Sequence, residues 1–269
     1  MAKEKNLRYL GVLILLPLII FLFIGGIYLK YVLLIVSFLG MYEIYKNIKL
    51  KGINAVDLFG YALCITYFLT LNESADFQFI TLVLIVSVLC LLCLPVLNTK
   101  YTYIDVAVTV VTFIYVPVFF SFIYLVDTKA HGNLLIWFIF IGAWLCDILA
   151  YYSGRVFGKH KLCPEVSAKK TIEGSIGGLV GSILGCGIYG IIINNKLNHI
   201  PVFHFFIIGL LCGIFCQFGD LAASSIKRFA GVKDYSNLIP GHGGILDRFD
   251  SILFASVVVY YYITFIMGM

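Results

Sequence analysis

Long apolar runs separated by short polar breaks recur along the whole chain, at residues 9–25, 30–46, 55–71, 77–97, 104–126, 133–153, 174–194, 202–223 and 249–267. Each approaches the ~20 apolar residues that a helix needs to cross the hydrocarbon core of a bilayer. The pattern therefore predicts an all-α, polytopic protein of about nine membrane spans. Only Gly25-Gly26 separates the first two runs. The first eight residues are basic, but no small-residue cleavage site follows the first apolar run, so it reads as a retained anchor rather than a removable signal peptide.

Composition sharpens this reading. The chain is 61% hydrophobic and 12% charged, against about 25% charged in soluble domains, so most of its surface faces something other than water. The net charge of +5 matters through its placement and does not call for a nucleic-acid partner. With nine alternating spans and a cytoplasmic N-terminus, one side holds Lys3, Lys5, Arg8, Lys46, Lys49, Lys51, Lys100, Arg155, Lys159, Lys161, Lys169, Lys170, Lys227, Arg228, Lys233 and Arg248. The other side holds Lys30, Lys129 and Lys196. Lys and Arg are retained on the cytoplasmic side, so this imbalance predicts that orientation. It also puts the two longest hydrophilic stretches, 154–173 and 224–248, on the cytoplasmic face. The organisation expected is a set of N-terminal transmembrane helices over 1–130 and a catalytic transmembrane region over 131–269. The eight cysteines lie mostly inside apolar runs. Cys90-x-x-Cys93 has redox or zinc spacing but no second pair or His beside it, so all eight read as packing residues.

Chemistry concentrates between Gln217 and Asp250, which carries Asp220, Lys227, Arg228, Lys233, Asp234, the run Pro240-Gly241-His242-Gly243-Gly244, Asp247, Arg248 and Asp250. Asp220 falls near the end of an apolar run, where a carboxylate needs a cation or a polar cavity. Asp247 and Asp250 share a helix face at spacing three and open the last span. Carboxylates from two helices suit Mg²⁺, which takes a few of them and leaves positions for water and phosphate. The competing reading is that Asp247 and Asp250 only cap the last helix. Gly241 to Gly244 before a helix suits a phosphate-binding turn, and Lys227, Arg228, Lys233 and Arg248 strengthen that reading because acids are interleaved with them. The alternative is that these four are anchors at the membrane surface, as Lys46, Lys49 and Lys51 are expected to be.

A second polar region contains Asp147, Arg155, Ser167, Lys169, Lys170, Thr171 and Glu173. Asp147 lies at or within the membrane and is a functional candidate on that ground, with structural pairing to Arg155 or Tyr151 as the competitor. Lys169, Lys170 and Thr171 suit a triphosphate. Glu173 opens the next helix and competes as a cap. Gly174, Gly177, Gly178, Gly181 and Gly185 form a small-residue stripe that close helix packing explains.

The segment Ser224-x-Ile226-Lys227-Arg228-x4-Lys233-Asp234-x-Ser236-x2-Ile239-Pro240-x-His242-Gly243-Gly244-Ile245-x-Asp247-Arg248-Phe249-Asp250 resembles the signature of the phosphatidate cytidylyltransferase family, and 147–178 is similar to that family's central part. The first 130 residues match only as a set of spans. The chain departs from the pattern at Ile148, Ala168 and Ala223, the last a position where the family often has Glu. The resemblance implies transfer of CMP from CTP to phosphatidic acid, giving CDP-diacylglycerol and pyrophosphate. It also implies Mg²⁺ on Asp220 and Asp247, joined by Asp250 and with room for a second divalent or a monovalent cation. A homodimer and a multi-pass position in a bacterial inner membrane, with lipid bilayer around the spans, complete the expectation. Asp220, Lys227, Arg228, Asp247 and Asp250 are then the expected catalytic residues. Asp147, Arg155, Ser167, Lys169, Lys170, Thr171, Glu173, Lys233, Asp234, His242, Gly243, Gly244 and Arg248 are the expected substrate contacts. The rivals are a CTP-dependent polyprenol kinase, which would transfer the γ-phosphate, and a transporter, in which charges would spread through the membrane depth instead of crowding at one face.

Overall fold

In a computed structural model, residues 17, 19–71, 77–197, 200–241 and 243–269 are described. The chain folds into two compact units. The first comprises the described residues up to Tyr124 together with Ala230–Asp247, and the second comprises Leu125–Phe229 and Arg248–Met269.

The first unit is built on α1 (Gly26–Lys49), α2 (Asp57–Thr70), α3 (Phe77–Leu97) and α4 (Tyr103–Phe113). Helix α4 begins with a capping box: the Thr102 side chain accepts from the Asp105 N–H, and the Asp105 carboxylate accepts from the Thr102 N–H. That box satisfies donors otherwise left open at the first turn. Asp105 Oδ1 also accepts the Asn54 N–H at 2.6 Å, and Thr109 Oγ1 the Val56 N–H at 2.9 Å, so the α1–α2 connection is tied to α4. A π-helical turn, Ile114–Val118, follows α4 and contains Pro117; proline has no N–H to donate, and a widened turn absorbs the gap. Helix α5 (Phe119–Asp127) completes this span and carries the chain into the second unit.

The second unit holds the short α6 (Gly132–Leu135), then α7 (Trp137–Phe157), a hairpin of β1 (Lys161–Cys163) and β2 (Ser167–Thr171), α8 (Ile172–Ile193), α9 (Phe203–Ala230) and most of α10 (Leu246–Tyr261). The strands pair antiparallel, Lys161 with Thr171 and Cys163 with Ser167. The glycine stripe of α8 lies on α7: a Cβ on Gly178 would stand 2.8 Å from the Cys146 carbonyl oxygen, and one on Gly181 would stand 2.8 Å from that of Leu145. Small residues let the two backbones approach this closely.

Among the described residues, six helical stretches are long and apolar enough to cross a membrane, from Gly26–Lys49 to Leu246–Ile266, and Asp57–Thr70 and Thr81–Leu97 are shorter apolar helices. The protein is thus an all-α integral membrane protein. Eight of the nine expected runs are met by helices, six of spanning length and two shorter. The ninth, 9–25, lies mostly outside the described residues; of it, 19–24 are helical, and the backbone breaks at Gly25 and Gly26, where φ is 65° and 58°. Two expectations about loops need correcting. Residues 154–157 continue α7, and 224–230, with Lys227 and Arg228, continue α9. Hydropathy ends where apolar residues end, but Ser, Lys, Arg and Ala sustain a helix beyond that point. The two-stranded hairpin is an addition that the all-α expectation did not contain.

Candidate active site

In the second unit a cavity of about 370 Å³ opens among α7, the hairpin, α8 and α9. Its wall includes six of the residues singled out in the sequence: Asp147, Arg155, Lys169, Lys170, Thr171 and Asp220. Asp147 and Arg155 come from α7, Lys169 to Thr171 from β2, and Asp220 from α9. The hairpin delivers its lysines because it is held at both ends. Thr171 caps α8 by accepting the Gly174 N–H at 3.1 Å, and Arg228 Nε donates to the Val166 carbonyl at 3.3 Å. Arg228 is thus engaged with the hairpin turn. Glu173 is not in the cavity wall. Its carboxylate accepts the N–H groups of Lys159 and His160 and pairs with His160 Nδ1 at 2.7 Å, which secures the entry to β1. Ser167 opens β2 opposite Cys163. Ala168 accepts the Lys161 ammonium on its carbonyl at 2.7 Å.

The acids of this unit lie close together. Lys170 Nζ pairs with Asp220 Oδ2 at 2.5 Å, and Ser224 Oγ donates to Asp220 Oδ1 at 3.4 Å. Ser251 Oγ donates to Asp147 Oδ1 at 3.4 Å, and Asp250 Oδ1 accepts the Ser251 N–H at 2.8 Å. The charges of Asp220, Lys170 and Arg248 act on Asp147, and those of Asp220, Asp147 and Lys227 act on Asp250. Three carboxylates therefore share one neighbourhood with Lys170, Lys227 and Arg248. Among the described residues no three or more His, Cys, Asp or Glu side chains form a ready-made metal cage. Mg²⁺ needs none: it is commonly held by one or two carboxylates, with water and substrate phosphates completing an all-oxygen shell. The donor set fits that ion.

Asp247, Lys233, Asp234, Gly243 and Gly244 belong to the first unit. Lys233 and Asp234 are exposed on the 231–245 loop. Asp247 Oδ2 accepts the N–H groups of Tyr235 and Gly244, each at 2.9 Å, so Asp247 organises the turn before its own helix. Gly243 has φ of 83°, and its carbonyl accepts the Ile239 N–H at 2.9 Å. The expected phosphate turn takes an unforeseen form. The N–H of Gly244 goes to Asp247, and those of Ile245 and Leu246 go to Glu43 at 2.8 and 3.0 Å. Carboxylates of the chain itself occupy these three donors. His242 lies outside the described residues.

Comparison with known proteins agrees with the geometry. Residues 6–266 match the cytidylyltransferase family. The chain belongs to this family. It is 31% identical to the phosphatidate cytidylyltransferase of Bacillus subtilis over 97% of its own length and 98% of that protein's. Proteins of the same name from Staphylococcus saprophyticus and Staphylococcus haemolyticus are each 40% identical over 157 residues; these matches span 58% of this chain and 58% of each relative.

Within this cytidylyltransferase-family site, sequence reasoning missed two features. Gln217 and Ser175 face each other across α9 and α8: Ser175 Oγ donates to Gln217 Oε1, and Gln217 Nε2 donates to the Ser175 carbonyl at 3.1 Å. Both line the cavity. The second is Glu43, an acid inside the 30–46 run. Like Asp147, Glu43 is a carboxylate within an apolar span, where it needs a polar partner.

Proposed function

We propose that this chain is a phosphatidate cytidylyltransferase, moving CMP from CTP to phosphatidic acid and releasing pyrophosphate. The observation that carries this reading is the similarity to the Bacillus subtilis protein of that name, which runs through nearly the whole of both chains. The cavity supports it chemically. Arg155, Lys169 and Lys170 put cations in the wall, which suits polyanionic phosphates. Asp220 and Asp250, with Asp147 beside them, are the side chains we assign to Mg²⁺. When bound, that ion would offset charge on the phosphates during transfer.

The phosphate monoester of the lipid has a second pKa near 6, so its attacking oxygen is anionic at neutral pH and no side chain need act as a strong base. The work left to this chain is orientation and charge neutralisation. Lys169 and Lys170 hold phosphate oxygens from the hairpin, Arg155 does so from α7, and Lys227 balances Asp250. In this reading the cavity opens to the cytoplasm, where CTP is, the lipid tails stay in the bilayer, and the membrane is the bacterial inner membrane.

The test is an assay of the detergent-solubilised chain with α-labelled CTP and phosphatidic acid, with and without Mg²⁺. Equal amounts of pyrophosphate and a CMP-bearing lipid, formed only with the metal, are expected. Release of CDP with a phosphorylated lipid would instead point to γ-phosphate transfer and overturn the assignment.

A further inference from the structure

We infer that Glu43 is a positioning residue: from a span in the N-terminal part of the chain, it holds the signature loop in its working shape. This deepens the function proposed above and rests on it. Glu43 is 1% exposed, and a carboxylate so placed in a span is costly unless polar groups meet it. Three do. Ser236 Oγ donates to Oε1 at 2.6 Å, the Ile245 N–H to Oε1 at 2.8 Å and the Leu246 N–H to Oε2 at 3.0 Å. Ser236 stands near the start of the loop, and Ile245 and Leu246 at its end, so one carboxylate closes both ends. Asn47, one turn further along α1, adds a bracket: its Nδ2 donates to the Tyr235 carbonyl at 2.7 Å and to the Glu43 carbonyl at 2.8 Å.

The contact is tight enough to dictate a residue type. A Cβ on Gly244 would fall 2.5 Å from Glu43 Oε1, so glycine at 244 lets the loop backbone lie against the acid. Glu43 also fills, from within, the anion position at the start of α10. Phosphate recognition by this loop therefore falls to its side chains, such as the exposed Lys233, and the role of Glu43 is to hold the backbone that presents them.

Hydrogen–deuterium exchange and steady-state kinetics on the full chain in lipid nanodiscs test this, comparing wild type with E43A and E43Q. In E43A the amides of Ile245 and Leu246 should exchange about tenfold faster or more, reflecting the loss of charge-assisted bonds, while α1 keeps its protection. kcat should fall about tenfold or more through misplaced side chains, with KM for CTP within about threefold. E43Q, which keeps the volume and one acceptor oxygen, should fall between wild type and E43A in both readouts. Unchanged exchange over 235–246, or a loosened loop with unchanged kcat, overturns the inference. If E43A does not fold, the same criteria apply to E43Q alone. If wild type makes no CMP-bearing lipid, the parent reading fails, and the exchange result still decides whether Glu43 holds the loop.

Discussion

Asp220 sits where a cation is already present: the ammonium of Lys170 lies 2.5 Å from Oδ2, and both side chains are partly exposed, at 30% and 24%. An ion pair this accessible to water adds little to stability. Asp220→Asn should therefore leave the melting temperature nearly unchanged. Turnover, read as Mg²⁺-dependent pyrophosphate release, should fall about a hundredfold or more, because charge stabilisation at the reacting phosphate is lost. Turnover near the wild-type level in that variant would remove Asp220 from the site. At this scale the sequence was legible wherever charge stood out against an apolar background. Asp147 and Asp220 stand out on that basis, and they line one cavity with Arg155, Lys169, Lys170 and Thr171. Glu43 stood out equally but lacked neighbours in sequence that carried chemistry. Its partners Ser236, Ile245 and Leu246 are about two hundred positions away, and only the fold brings them together.

Among the elements, the closeness of α7 and α8 sets the shape of the cavity, since Asp147 and Arg155 ride on one helix and Thr171 caps the other. Gly178→Leu should disturb that pair directly. Its Cβ would stand 2.8 Å from the Cys146 carbonyl oxygen and 2.9 Å from the Ala150 methyl, and the backbone cannot yield cheaply. Overpacking of this kind costs typically about 1–3 kcal/mol, so the variant should melt at a lower temperature in a thermal unfolding experiment. Ile176→Leu, two positions earlier and exposed, should not. The spans were legible as apolar runs, which the helices from α4 to α10 follow, with α9 continuing past its run to Ala230. What escaped was whatever hydropathy does not encode. Strands of three and five residues are too short to display an alternating pattern, so the hairpin read as loop. The polar final turns of α7 and α9 read as loop for the same reason, and nothing in the apolar run around Pro117 announced a π-helical turn.

For the molecule as a whole, the distribution of Lys and Arg implies which face the hairpin occupies, and the chain carries its own reporter. Among the described cysteines, Cys163 alone lies outside the apolar helices, in β1 and partly exposed; Cys64, Cys146, Cys186, Cys212 and Cys216 are buried, and Cys90 and Cys93 belong to α3. A membrane-impermeant maleimide should label the protein in inside-out vesicles and not in intact cells, and Cys163→Ser should abolish the signal. Labelling of intact cells at Cys163 would invert the orientation.

The first unit is discontinuous in the chain: it is left at Tyr124 and rejoined at Ala230. During synthesis, α1 therefore enters the bilayer long before the amides that will meet its acid exist. Ile245 is 202 residues beyond Glu43, an interval of roughly 10–40 s at ribosomal rates of about 5–20 residues per second. Until Ser236 is made, the nascent span carries a carboxylate with none of its eventual donors. A polypeptide halted short of Ser236 keeps that defect permanently, so an unfinished chain differs from a finished one inside the membrane itself, far from where translation stopped.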